Sequence, residues 1–534
     1  MNNVDPFRLS KEDSNIPIQV GKGDGSAGSP GGMEIVESYH LNPYVRVEIL
    51  KDLRESRMLY RLSAIELGEE ERRALIRIRE RLLEMSSERV SVPHGKGRAQ
   101  YLEERIEELA RKEKGVKGED GLNRIKYLLL RDFLGYGKID EIMGDSNVED
   151  ISCDGAGIPL YIYHRKYQNM RTNVVFEDER ELNNFIVLLA QRGNRQVSVS
   201  DPILDATAND GSRINATFGR EVTSRGGTFT IRLFRKVPLT PVDLVSMNTA
   251  SPELMAYLWL AIERGKNVLF YGGTGVGKTS TLNAVSFFLP QSSKIVSIED
   301  TREINIPHSN WISEVTRRGV GEGRFTVGKA AGEIDMFDLL VSALRQRPDY
   351  LIVGEVRGRE AYNLFQAMNV GQTTLATVHA ESVENLISRL ENQPIGIPRT
   401  MLTSMNVLVK QSLIKVEGRA VRRITEVSEM GGIDPSSNEI TLNNVFKWDQ
   451  QSDTFSLNGE SDLMKEIELG ENGKSAGLST ELDSRSELLR LLSAGRVEDP
   501  KAVWSYLVRY STEKERVLSE LRDLAERKGG SLGR

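Results

Sequence analysis

The run Asn267-Val268-Leu269-Phe270-Tyr271-Gly272-Gly273-Thr274-Gly275-Val276-Gly277-Lys278-Thr279 reads as a short buried strand delivered straight into a glycine-rich turn. Ser280 to Phe288 then continues as a helix. Strand, GxxxxGK(S/T), helix is the order that cradles phosphate groups. Glycine is needed because the backbone must bend tightly for consecutive N–H groups to point at phosphate oxygens. Lys278 can reach the β- and γ-phosphates, and Thr279 can place its hydroxyl on Mg²⁺. The helix that follows adds the positive end of its dipole. Gly272, Gly273, Thr274, Gly275, Val276, Gly277, Lys278, Thr279 and Ser280 therefore form the candidate nucleoside-triphosphate-binding set.

Moving outward, Tyr350-Leu351-Ile352-Val353-Gly354-Glu355 is an apolar strand ending in an acid, and Lys294-Ile295-Val296-Ser297-Ile298 ends in Glu299-Asp300. In a parallel sheet such acids project from the carboxyl edge, the edge that also presents the phosphate loop. Glu355 can then hold a Mg²⁺-bound water or polarise the attacking water. A third strand-like run, Thr373 to Val378, is followed by His379, whose imidazole could donate to the γ-phosphate. Taken singly, each acid reads equally as a surface carboxylate and the histidine as a structural one. Their arrival beside one phosphate loop favours catalysis. The remaining histidines, His40, His94, His164 and His308, lack metal-ligand spacing, so no transition-metal site is implied.

The regions around this centre differ in texture. Residues 1–32 end in a Gly/Ser-rich run and read as a flexible tail. Residues 33–120 form an adaptor region: strand-like pieces such as Val45 to Ile49, an amphipathic helix with Ala74, Ile78, Leu82 and Met85 at helical spacing, and a charged helix from Tyr101 to Lys114. A linker is expected over residues 115–121. Residues 121–237 are mixed α/β, and Pro238 and Pro241 suggest a semi-rigid connector. Over residues 238–430 strands and helices alternate as βα units, which predicts a mainly parallel sheet. Residues 431–534 hold a hairpin and a helical stretch with Val517, Leu518, Leu521 and Leu524 on one face.

Composition limits the alternatives. A chain of 534 residues suggests three or four domains at about 150 residues each. Charged residues make up 28% and the net charge is −6, which does not suit a dedicated nucleic-acid coat. A single cysteine, Cys153, permits no intramolecular disulfide and no Cys-rich zinc site, consistent with a reducing compartment. The longest apolar stretch, Leu254 to Ile262, is under half of the roughly 20 residues a spanning helix needs. The acidic N-terminus does not read as a secretory signal. The expectation is a cytoplasmic protein that reaches any membrane through a partner.

The motif set closes with Gly332-Glu333-Ile334-Asp335-Met336, Arg347-Pro348-Asp349, Val353 to Gly358 and Thr377-Val378-His379-Ala380. Together with residues 272–279 and Glu299-Asp300, it resembles the type II/IV secretion ATPase superfamily, with these runs as its Walker A, Asp box, Walker B and His box. Upstream runs (Gly135-Tyr136-Gly137, Glu149-Asp150-Ile151, Asp210-Gly211-Ser212-Arg213 and Phe229-Thr230-Ile231-Arg232) are most similar to the archaeal branch that powers archaella, type IV pili and related secretion. The resemblance implies a RecA-like ATPase domain preceded by a smaller α/β, PAS-like domain, in a homo-hexameric ring. It implies ATP and Mg²⁺, with Thr279 and Glu355 at the metal, partly through water. It offers catalytic roles to Glu355, Glu299, Lys278 and His379, and to Arg213 and Arg232 as arginines that reach the phosphates, with Arg225 a weaker third. A guanidinium there suits the charge on a transferring phosphoryl group. The implied partners are a polytopic membrane platform protein and, indirectly, pilin-like or secreted subunits, and no nucleic acid. The lone cysteine excludes the four-cysteine zinc module of many bacterial type II members. Residues 237–241 would act as hinge.

Two other readings stay open at this level. A ring-shaped nucleic-acid translocase shares the engine but wants a basic, aromatic-bearing pore loop, for which residues 316–329 offer only Phe325. A nucleotide-gated scaffold would need Glu355 or Glu299 to be non-catalytic.

Overall fold

The computed structural model describes residues 32–55, 57–87, 97–235, 237–317, 332–470 and 478–528. The expected tail lies outside these apart from Gly32, as do His94 and all but the start of the 316–329 segment. The chain forms two compact units, Met1–Phe234 and Arg235–Arg534.

The first unit carries strands β1 (Met33–Asn42), β2 (Val45–Asp52), β3 (Arg57–Ser63), β4 (Val148–Cys153), β5 (Pro159–His164), β6 (Gln168–Val175), β7 (Ile203–Thr207), β8 (Arg213–Thr217) and β9 (Thr228–Arg232). They form one nine-stranded sheet in the order β1-β2-β3-β6-β5-β4-β9-β8-β7. Every pairing is antiparallel except β3 with β6, which run parallel through Leu59 opposite Arg171 and Tyr60 opposite Thr172. That short ladder carries the sheet across residue 120, so one sheet spans the two segments that the sequence reading separates. Helices α1 (Glu69–Ser87), α2 (Arg98–Lys112) and α3 (Gly118–Leu134) share their own apolar cluster, built on Ala74, Ile78, Ile106, Ile125 and Leu129. The linker expected over residues 115–121 is not one: α3 begins inside it, and a methyl group on Gly115 would collide with the Glu70 carbonyl and lie 3.1 Å from Ala74 Cβ. Glycine is there to let two backbones touch. The short helix α4 (Asp140–Gly144) precedes β4, and α5 (Glu179–Arg192) buries Leu182, Ile186 and Leu189 in the cluster that holds Ile151, Ile162, Ile214, Phe229 and Ile231. Because strand side chains alternate, the opposite sheet face is polar.

The second unit contains α6 (Pro241–Ser246), α7 (Pro252–Glu263), β10 (Val268–Gly272), α8 (Lys278–Val285), β11 (Ile295–Glu299), β12 (Trp311–Val315), α9 (Met336–Arg345), β13 (Tyr350–Val356), α10 (Glu360–Asn369), β14 (Thr373–His379), α11 (Val383–Glu391) and α12 (Arg399–Leu402). It continues through β15 (Val407–Val416), β16 (Arg419–Ile433), β17 (Ile440–Asp449), β18 (Thr454–Leu457), α13 (Asp462–Gly470), α14 (Leu478–Ala494) and α15 (Pro500–Arg527). Its sheet runs β12-β11-β13-β14-β10-β15-β16-β17-β18. The first six strands are parallel, and β16 to β18 extend them antiparallel. Strand β10 shows why both faces are covered. Val268 and Phe270 enter a cluster with α7, α14 and α15, whereas Leu269 and Tyr271 enter another with α9, α10 and α11. Leu254 to Ile262, the longest apolar run of the sequence, is α7 buried on all sides. This is the RecA-like α/β arrangement, and its sheet continues past residue 430 into the hairpin strands.

Among the described residues no helix is long and apolar enough to cross a membrane. Cys153 is buried and unbridged, and burial pushes its thiol up to about 11.

Candidate nucleotide site

Parallel pairing sets the level of each catalytic candidate. Gly272 at the end of β10 lies opposite His379 at the end of β14, and Ile298 of β11 lies opposite Val353 of β13. The phosphate loop, Glu299, Glu355 and His379 thus share the carboxyl edge. The loop bends where Gly277 takes φ +97°, a left-handed geometry that L side chains avoid, immediately before α8 begins at Lys278.

Lys278 is 7% exposed, and its Nζ donates to the Gly272 carbonyl at 3.0 Å and the Gly273 carbonyl at 2.6 Å. It also lies 3.3 Å from His379 Nδ1. Burial depresses its ammonium to about 8, against the opposing pull of Glu355 and Glu303. His379 Nε2 in turn stands 3.2 Å from Glu355 Oε1. Burial and the Lys278 charge both push His379 below the ordinary imidazole value.

Glu355 sits on a β-bulge. Val353 pairs with Ala376 and Val356 with Val378, so Gly354 and Glu355 together face Thr377. The Thr377 hydroxyl fixes this kink by donating to the Gly354 carbonyl at 2.6 Å. Burial raises the Glu355 carboxyl, but a 2.6 Å hydrogen bond from Arg357, that cation's charge and the nearby His379 and Lys278 together hold the group below its usual range. Its Oε1 faces His379 Nε2 at 3.2 Å without an aligned hydrogen bond, which leaves it able to meet a bound water or metal shell. Among the described residues no cluster of three or more His, Cys, Asp or Glu could hold a metal by itself. Mg²⁺ rarely asks for one, since it takes one or two protein oxygens and completes its shell with phosphates and water. The donor set of Thr279 and Glu355 fits that chemistry.

Glu299 is 1% exposed. Its Oε1 accepts from the Glu303 and Ile304 amides at 2.9 and 2.8 Å, and its Oε2 is buried without a partner. Burial raises the carboxyl to about 8 despite those two hydrogen bonds, so it is mostly protonated at neutral pH. Gly354 leaves room for it: a Cβ there would meet Glu299 Cγ at 3.2 Å.

Arg213 and Arg232 belong to the first unit. They face each other across β8 and β9 on the polar sheet face, in a hollow of about 530 Å³ that Asp150, Asp205, Tyr161 and Tyr163 also line. Asp205 lies 3.4 Å from Arg213, and Asp150 4.0 Å from Arg232. Arg225 does not line the hollow.

Two residues with no role in the sequence reading stand in the site. Arg357 bonds Glu355 and lies 3.8 Å from Asp300, and Arg422 of β16 donates to the Gly275 carbonyl at 3.1 Å. The position of Arg357, two residues past the strand-end acid, was a usable signal. Arg422 is 147 residues from Gly275, and only the sheet order brings it there.

The fold and the loop define a P-loop nucleoside triphosphatase. A family model described as type II/IV secretion system protein matches residues 146–446. An uncharacterized protein of Methanocaldococcus jannaschii is 37% identical over 387 residues, covering 71% of this chain and 68% of that protein. The type IV secretion system protein VirB11 of Bartonella henselae is 29% identical over 237 residues, covering 38% of this chain and 64% of its own length. The crystallised ATPase DotB of Legionella pneumophila is similar over 56% of this chain and 80% of its own, at 20% identity and a TM-score of 0.38. The chain belongs to the type II/IV secretion ATPase family, and it is an ATPase.

Proposed function

We propose that this ATPase works as a homo-hexameric ring at the cytoplasmic side of a membrane. There it hydrolyses ATP with Mg²⁺ to move pilin-like or secreted subunits through a polytopic platform protein, in an archaeal pilus, archaellum or related secretion system. The observation that carries the catalytic part is the chain Lys278–His379–Glu355, with steps of 3.3 and 3.2 Å at the mouth of the phosphate loop.

In this reading the N–H groups of residues 273–280 hold the phosphates and Lys278 leaves its loop carbonyls for the β- and γ-oxygens. Mg²⁺, when bound by Thr279 and through water by Glu355, neutralises developing phosphate charge. Glu355 orients the attacking water and His379 donates to the γ-phosphate. Glu299, held mostly protonated at neutral pH by its value of about 8, stands at the same edge as a neutral carboxylic acid able to donate a hydrogen bond to the reacting groups. Arg213 and Arg232 add charge stabilisation as the arginines that reach the phosphates. The family and the motif order support the secretion role.

The deciding measurement is ATP turnover by wild type and Glu355→Gln, each with and without phospholipid or platform protein and with and without DNA. Turnover that depends on Glu355 and rises with lipid or platform protein is expected. Stimulation by DNA alone would defeat the secretion assignment, and turnover indifferent to Glu355 would defeat the catalytic one.

A further inference from the structure

We propose that Arg422 is a positioning residue of the ATP site, aiming the tip of the phosphate loop through the Gly275 carbonyl. The proposal rests on this loop being the nucleotide site.

The sheet explains how the arginine arrives. The ladder between β10 and β15 ends where Tyr271 meets Lys410. At the next residue the register of β15 against β16 shifts: Lys410 pairs with Glu426 but Gln411 with Ile424. Beyond that shift the two strands run as an arm beside the loop. The contacts are close on three glycines. The Gln411 carbonyl is so near Gly272 that any Cβ there would collide with it. A Cβ on Gly277 would meet Gln411 Nε2 and Arg422 Cδ, both at 3.1 Å. Arg422 Nε then donates to the Gly275 carbonyl at 3.1 Å.

That carbonyl shares a rigid peptide plane with the Val276 N–H, and in a trans peptide the two point in opposite directions. This plane turns about ψ of Gly275 and φ of Val276, and Gly275, at φ +72°, is the residue type with the most rotational freedom on its near side. Without an outside hold the plane can swing and take the Val276 N–H away from the phosphate position. A guanidinium on the outer carbonyl fixes the N–H inward with a charge-assisted bond. It also places a positive charge behind the anion site. Because Arg422 touches the loop and not the reacting atoms, it acts on binding rather than on the chemical step.

The test uses the full chain with MgATP and compares wild type, Arg422→Ala and Arg422→Lys. Steady-state turnover gives KM and kcat, and amide hydrogen exchange on nucleotide-free protein follows a peptide covering residues 272–280. Arg422→Ala is expected to raise KM about five- to tenfold with kcat within about twofold. It should also speed exchange in that peptide alone, with Arg422→Lys falling between the two. Unchanged KM and unchanged loop exchange would overturn the proposal, as would faster exchange spread across the whole unit, which marks a general stabilising role. If wild type itself fails to turn over ATP, the proposed function fails and the exchange comparison still decides Arg422.

Discussion

Arg213 and Arg232 stand directly opposite one another on adjacent antiparallel strands, one cation facing another. Like charges in that position cost stability, and the Asp205 and Asp150 carboxylates, 3.4 and 4.0 Å away, offset that cost. Such a pair is at ease when an anion lies over it. Replacing either arginine with alanine should therefore leave thermal unfolding unchanged or slightly later, while lowering kcat by about 10³-fold if the guanidinium meets the transferring phosphoryl group. Turnover equal to wild type in both variants would remove them from the reaction.

Lys278 supplies a pH signature. Burial sets its ammonium near 8 without nucleotide, and phosphate charge favours the protonated form. Above about 8, ATP binding must take up a proton, so KM should rise about tenfold per pH unit there and stay flat below. Initial rates between pH 6.5 and 9.5 give the curve. A KM that is level through pH 9 would show that the ammonium is not held down.

Arg357 is expected to tune Glu355. Burial pushes that carboxyl up, and Arg357, followed by the His379 and Lys278 charges, holds it down. In Arg357→Ala the burial effect is left less opposed, Glu355 protonates at higher pH, and the acid limb of the kcat profile moves upward. If the limb stays in place, Glu355 ionisation does not govern turnover.

Glu299 predicts a stability change of definite sign. Its folded value near 8 lies above the ordinary glutamate value of 4.5, so the folded state holds a proton that the unfolded state releases between those limits. The group's contribution is full below 4.5 and is lost as pH climbs toward 8. Glu299→Gln cannot ionise and should escape that loss. Relative to wild type its melting temperature should gain at pH 8 over pH 5, even as activity falls. Equal differences at both pH values would mean the carboxyl is ionised in the folded protein.

What could be read in advance was what is local. The phosphate loop is a contiguous strand, turn and helix, and the strand-end acids Glu299 and Glu355 need only the rule that parallel strands share an edge. Pairing between distant segments could not be read. Nothing in residues 33–63 says that β3 joins β6, nor that Arg422 reaches Gly275. Glycines at residues 115–121 carry the composition of a linker, yet Gly115 is there because a second backbone leaves no room for Cβ. Small residues signal both looseness and close contact, and only packing separates the two.

The bulge at Gly354 and Glu355 makes the acid's direction a matter of counting. Side chains alternate along a strand, so deleting Gly354 would remove the extra position and change the direction in which the carboxylate leaves the strand. The strand would keep its apolar character and the sheet its order. This spacing therefore tolerates exchanges of side chain far better than any change of length, and a family member one residue shorter here would keep the fold while the acid left its place at the phosphate loop.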